Sequence, residues 1–188
     1  MNARRRILAA SLAAATLALL GPQVHAQAPK VLKISHQFPN NTIDEGDFRD
    51  RMLRKFAAEV EKRTNGQLKF EIYPGGSLVK PVEQWGAMAN GSLDLSLYPL
   101  AYAGGRVPEL NIGLMPALVT SYEQGLRWKD APIGKELTRI VEEKGVKIIT
   151  WVWQAGGIAS RGKPILQPDD VKGLKFRGGS KEMDMMLK

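Results

Sequence analysis

An α/β fold on a largely parallel sheet is what this sequence predicts, and three observations predict it. Strand-like and helix-like segments alternate along the chain. The stretches joining successive strands are themselves helical, as crossovers between parallel strands must be. The 188 residues include no cysteine, so an apolar core rather than disulfide staples has to hold the fold.

Taken in order, the chain opens with a basic n-region, Arg4-Arg5-Arg6, followed by an apolar run from Ile7 to Leu20. Gly21 and Pro22 break that run, and Val24-His25-Ala26 fits a small-residue cleavage site. Residues 1–26 therefore read as a Sec signal peptide, with an exported chain starting near Gln27. The apolar run is short for a spanning helix. Lys and Arg number 27 against 19 Asp and Glu, a net +8, and loss of the three leader arginines lowers it to +5. That excess is diffuse, with no basic block and no aromatic-basic interleaving, so no nucleic-acid partner is expected. About 160 exported residues fall within the usual range of a single domain.

Val31 to Ser35 reads as a first strand, and the polar HQFPNNTIDEG loop follows. From Asp47 a helix is predicted, because Phe48, Met52, Phe56 and Val60 repeat every fourth residue. Lys62 and Arg63 fall in its last turn, and Gly66 ends it. LKFEIY (Leu68 to Tyr73) alternates as a half-buried strand should. After the PGGS turn a helix is expected over 79–89, with Pro81 in its first turn, and then a strand over Leu93–Tyr98. Helical stretches over 121–129 and 132–144 precede VKIITWVW (Val146 to Trp153), an apolar run read as a buried strand.

Open α/β sheets bind ligands at the carboxyl ends of their strands. The residues there are His36 and Gln37, Tyr98 and Tyr102, Trp153 and Gln154, and Arg177. They are polar, aromatic and cationic, and they contain no acid-base pair. His36 is the only histidine beyond the leader, and no G-x-S-x-G elbow, H-E-x-x-H pair or EF-hand loop is present. Catalysis, a metal site and a cofactor are therefore not expected. Trp151 and Trp153 share a strand face, with Trp151 read as core; Trp153 is left between core and ligand wall, as is Tyr98. GLKFRGGS (Gly173 to Ser180) places a lone arginine before two glycines and a helix cap. Its guanidinium could fork onto a carboxylate, or it could be an exposed or internally paired surface charge.

The order of several motifs carries a resemblance: YPGGSL at 73–78, ANGSLDL at 89–95, LMPALV at 114–119, IITWVWQ at 148–154 and KPILQPDDVKGLKFR at 163–177. This series resembles the solute-binding receptors of tripartite ATP-independent periplasmic (TRAP) transporters, the dicarboxylate-receptor, DctP-like family. The last motif is the most specific of them. The resemblance implies a two-lobe periplasmic binding protein of type II-like plan, monomeric and non-enzymatic, which hands a small organic acid to membrane permease subunits. It implies that Arg177 forms the salt bridge to the ligand carboxylate, with Gln37 and Tyr98 among the pocket residues. Where the family often has a second arginine, this chain has Gly157. Family members run to about twice this length. The resemblance thus implies a first lobe over 27–150 and, over 151–188, the crossover with an incomplete beginning of the second. A chain of this extent is expected to fold poorly alone, because WVW and GLKFR would lack sheet neighbours. An importer of the ABC type shares the two-lobe plan and is the alternative receptor; a secreted enzyme on the same scaffold is the alternative of another class.

Overall fold

A computed structural model describes residues 28–186; the export signal read over 1–26 lies outside them. Strand β1 (Lys30–His36) is the centre of a three-stranded sheet, flanked by β2 (Leu68–Tyr73) and β3 (Leu95–Leu97), and both pairings are parallel. The central place explains the burial: Ile34, Ser35 and His36 are fully enclosed, whereas Lys30, Val31 and Lys33 at the opening end are exposed.

Helix α1 (Phe48–Arg63) is the crossover from β1 to β2. Asp47 starts it from extended backbone, its carboxylate accepting the Arg49 N–H at 3.0 Å. Gly66 closes it in the left-handed region at φ 75°, where its N–H reaches the Glu61 carbonyl at 2.8 Å. Along the face that meets β2, Phe56 packs on Phe70 with ring centroids 5.9 Å apart. Phe48, the first member of the predicted apolar series, is exposed instead.

Between β2 and β3 the helix expected over 79–89 divides. Pro81–Glu83 forms a 3-10 turn and Gln84–Ala89 a short α-helix, α2. Buried Gln84 then ties α2 to two strands. Its amide donates to Ser35 Oγ at 3.3 Å and its Oε1 accepts from Ser96 Oγ at 2.7 Å. Such a satisfied buried amide fixes the position of α2 over the sheet. The strand expected over 93–98 shortens to β3, with Leu93 already buried ahead of it. Beyond β3, 3-10 turns at Leu100–Ala103 and Pro108–Leu114 lead to α3 (Tyr122–Trp128) and α4 (Pro132–Glu143). Trp85, Val107, Leu110, Trp128, Leu137 and Val141 form the main apolar cluster where these elements meet.

One expectation is corrected. Val146–Trp153 is not a strand, and neither is Leu174–Arg177. No neighbouring strand among the described residues takes up their ladder hydrogen bonds. Side chains seat the first run instead: Val146, Ile148, Trp151 and Trp153 pack against the cluster of Trp128, Leu137 and Val141. Pro168–Val171 makes a 3-10 turn, and Lys181–Met186 a final short helix, α5.

Candidate functional site

Parallel strands end together, so the sheet gathers the residues just past β1 and β3 along one edge. The β1–β3 register pairs His36 with Leu97, and one step further brings Gln37 alongside Tyr98. Gln37 is half-buried there. Tyr98 is half-buried too, its ring packed on Trp85 at 6.1 Å and against the edge of Tyr102 at 6.1 Å. Its hydroxyl is buried with no hydrogen-bond partner, and burial pushes its pKa up to about 12. The group stays a neutral hydroxyl at any physiological pH.

Arg177 reaches this edge from the far end of the chain. Its Nη2 donates to the Tyr102 hydroxyl at 3.0 Å, and it pairs with no carboxylate among the described residues. A neutral partner orients the guanidinium without cancelling its charge. The first of the two glycines that follow it serves the packing of the chain. A Cβ on Gly178 would lie 2.0 Å from Asp184 Oδ1, so this glycine makes room for an acid of α5 rather than for a ligand. Ser180 does cap α5, accepting the Met183 N–H at 3.3 Å. With Glu182 and Asp184 in a helix of six residues, that terminus is already supplied with negative charge.

Trp153 and Gln154 part company. The Trp153 ring meets Trp128 edge-on at 5.2 Å and stacks on Trp151 at 6.3 Å, and it lies where a Cβ on Gly125 would be. It is a packing residue whose indole N–H is buried without a partner. Gln154 is exposed, and its Oε1 accepts from Arg49 Nη1 at 3.2 Å.

His36, expected among the ligand residues, lies enclosed within the fold. It is fully buried, with Nδ1 accepting the Phe38 N–H at 3.2 Å and Nε2 lying 2.9 Å from Asp50 Oδ1. Burial holds its pKa below the ordinary 6.5, although Asp50 pulls it the other way. Accepting at Nδ1 assigns the ring as a neutral Nε2–H tautomer facing Asp50. Asp50, also fully buried, further receives the Asn41 N–H at 2.9 Å and Arg54 Nε at 2.8 Å. This knot fastens the loop after β1 to α1 and leaves His36 nothing to offer a ligand.

Sequence reasoning missed Arg49. Its guanidinium forks onto Asp47 at 2.8 and 2.5 Å and lies 4.0 Å over the Phe38 ring. The pairing holds the Asp47 carboxyl down at about 2. Arginine two positions after a helix cap is the only local signal, and it marks ordinary helix starts equally well. A groove of about 770 Å³ between the 108–114 turn and α4 includes none of the strand-end residues. There Arg139 is matched by Glu136 and Glu143, so little of its charge remains for a ligand.

Residues 39–188 match the model of the family described as bacterial extracellular solute-binding protein, family 7. A solute-binding protein of Albidiferax ferrireducens is 66% identical over 157 residues, which cover 84% of this chain and 46% of that relative. The C4-dicarboxylate-binding periplasmic protein DctP of Rhodobacter capsulatus is 31% identical over 92% of this chain and 51% of its own length. Among solved structures, a TRAP periplasmic solute-binding protein from Rhodoferax ferrireducens with bound malonate superimposes with a TM-score of 0.80 at 66% identity. That match covers 83% of this chain and 49% of the other. The chain thus spans about half the length of the relatives it matches.

Proposed function

Because the chain belongs to the family of bacterial extracellular solute-binding proteins, family 7, we propose that it serves as the ligand-anchoring part of a TRAP transporter receptor for a small organic acid. The observation that carries this reading is Arg177: a guanidinium oriented by a tyrosine hydroxyl and matched by no acid among the described residues, at the carboxyl edge of the sheet. A carboxylate satisfies such a fork with two parallel hydrogen bonds, a geometry that a lysine ammonium does not reproduce. In this reading Gln37 and Tyr98, just past the ends of β1 and β3, line the rest of the pocket.

In this reading residues 1–26 direct export and are removed, and the receptor works in the periplasm as a monomer. Residues 27–150 supply the first lobe, and 151–188 the crossover and the beginning of a second. The lobes close over the acid, and the loaded receptor passes it to the membrane permease subunits. Malonate in the similar Rhodoferax protein, and the C4-dicarboxylates of the Rhodobacter protein's name, are the first ligands to try.

The test is calorimetric titration of the full-length protein with malonate and succinate. Arg177→Ala is expected to weaken binding of whichever acid binds by about 2–4 kcal/mol, roughly 30-fold or more in Kd. An unchanged Kd in a variant that still melts cooperatively would remove Arg177 from the site.

A further inference from the structure

Two hydrogen bonds between side chains link the chain beyond residue 146 to the body formed by residues 28–145, among the described residues. One is Arg177 to Tyr102; the other is Arg49 to Gln154. The second has a chemical consequence that the first does not.

Arg49 is held on three sides. Asp47, itself fixed as the cap of α1, takes Nε and Nη2 on its two carboxylate oxygens. Phe38 supports the flat face at 4.0 Å, and Phe38 is buried directly beyond the end of β1. Only the Nη1 edge is left, and Gln154 meets it with Oε1 at 3.2 Å. A guanidinium has no acceptor, so it can face only the oxygen of a carboxamide. Arg49 therefore decides which way the Gln154 amide is turned. With the oxygen consumed, the NH2 group remains, and Gln154 is exposed. What it presents is a pair of donors, suited to a carboxylate or hydroxyl oxygen.

We infer that Arg49 is a positioning residue, which orients the Gln154 amide so that its NH2 donates to an oxygen of the bound acid. This rests on the reading of the chain as an organic-acid receptor. Arg49 itself, neutralised by Asp47, does not touch the ligand.

The discriminating variant is Gln154→Glu in the full-length protein. A glutamate would pair with Arg49 more strongly than the amide does, so a merely structural tie would be kept or strengthened. As a donor, however, position 154 would be lost and replaced by a negative charge. Melting curves and titrations with malonate and succinate separate the two roles. The expected result is a melting temperature at or above wild type together with at least a tenfold loss of affinity. Arg49→Ala and Gln154→Ala are each expected to lose roughly tenfold, and the double variant no more than either alone, because one removes the orientation of what the other removes. Arg49→Lys should not rescue, since an ammonium cannot fork onto Asp47 while holding Gln154.

Wild-type affinity in Gln154→Glu, or additive losses in the double variant, would overturn the inference. If Arg49→Ala fails to fold, the Gln154 variants still decide it, because that side chain is exposed. Should Arg177→Ala abolish binding while Gln154→Glu does not weaken it, only this inference falls. Should the wild type bind neither acid, both readings fall together.

Discussion

His36 and Asp50 show how one residue can look functional and be structural. In the folded chain the imidazole is enclosed and neutral, with its pKa below 6.5. The unfolded chain takes up a proton at that value, and the folded chain does not until a lower pH. Stability from this group is thus fully present above pH 6.5 and is lost as pH falls below it. The melting temperature should drop between about pH 7 and pH 5.5 more steeply in the wild type than in His36→Gln; parallel profiles would refute this. Asp50→Ala removes the common acceptor of His36, Arg54 and the Asn41 N–H, and should destabilise by about 3 kcal/mol in denaturant titration. None of this could be read from the sequence, where an aspartate in the first turn of a helix is an ordinary dipole partner. Arg49 escaped for a related reason, since its partner Gln154 lies 105 residues away.

Elements were legible where the local pattern and the tertiary outcome agree. The four-residue repeat of α1 and the alternation of β2 were both sound guides, because a face of each meets the other. Parallel pairing followed from the helical crossovers. The run Val146–Trp153 misled because an apolar, β-branched, aromatic segment states that it will be buried but not what will pair with its backbone. Its indoles settle against α3, and Gly125 on α3 permits that. A Cβ at position 125 would approach Trp153 Cγ to 2.7 Å. Gly125→Ala should therefore destabilise by about 1–3 kcal/mol despite its better helix propensity. A melting temperature at or above wild type would show that the seat can shift at no cost. Gln37 and Tyr98 follow β1 and β3 in adjacent register, as the strand-end rule expects from topology alone, whereas Arg177 follows no strand and meets Tyr102 through a side-chain hydrogen bond.

The molecule as a whole is unevenly held. Residues 28–145 contain the sheet, the Gln84 network and the apolar cluster. From Gln154 to Pro164 every residue is exposed, and Ile158, Leu166 and Leu174 present apolar side chains to water. Limited trypsin digestion of this chain should cut first after Arg161, Lys163 being shielded by Pro164, and spare Arg51 and Arg54 in α1. Early cleavage within α1 would contradict that ranking. The tryptophans add a consequence of another kind. Three of the chain's four, Trp128, Trp151 and Trp153, sit with ring centroids 5.2 and 6.3 Å apart, the last two stacked nearly parallel at 13°. Indoles so close, and inclined by 64° in the Trp128–Trp153 pair, couple their strong far-ultraviolet transitions and give a paired circular-dichroism band that isolated indoles lack. The chain thus carries a label-free optical gauge of whether the segment Val146–Trp153 is seated against α3.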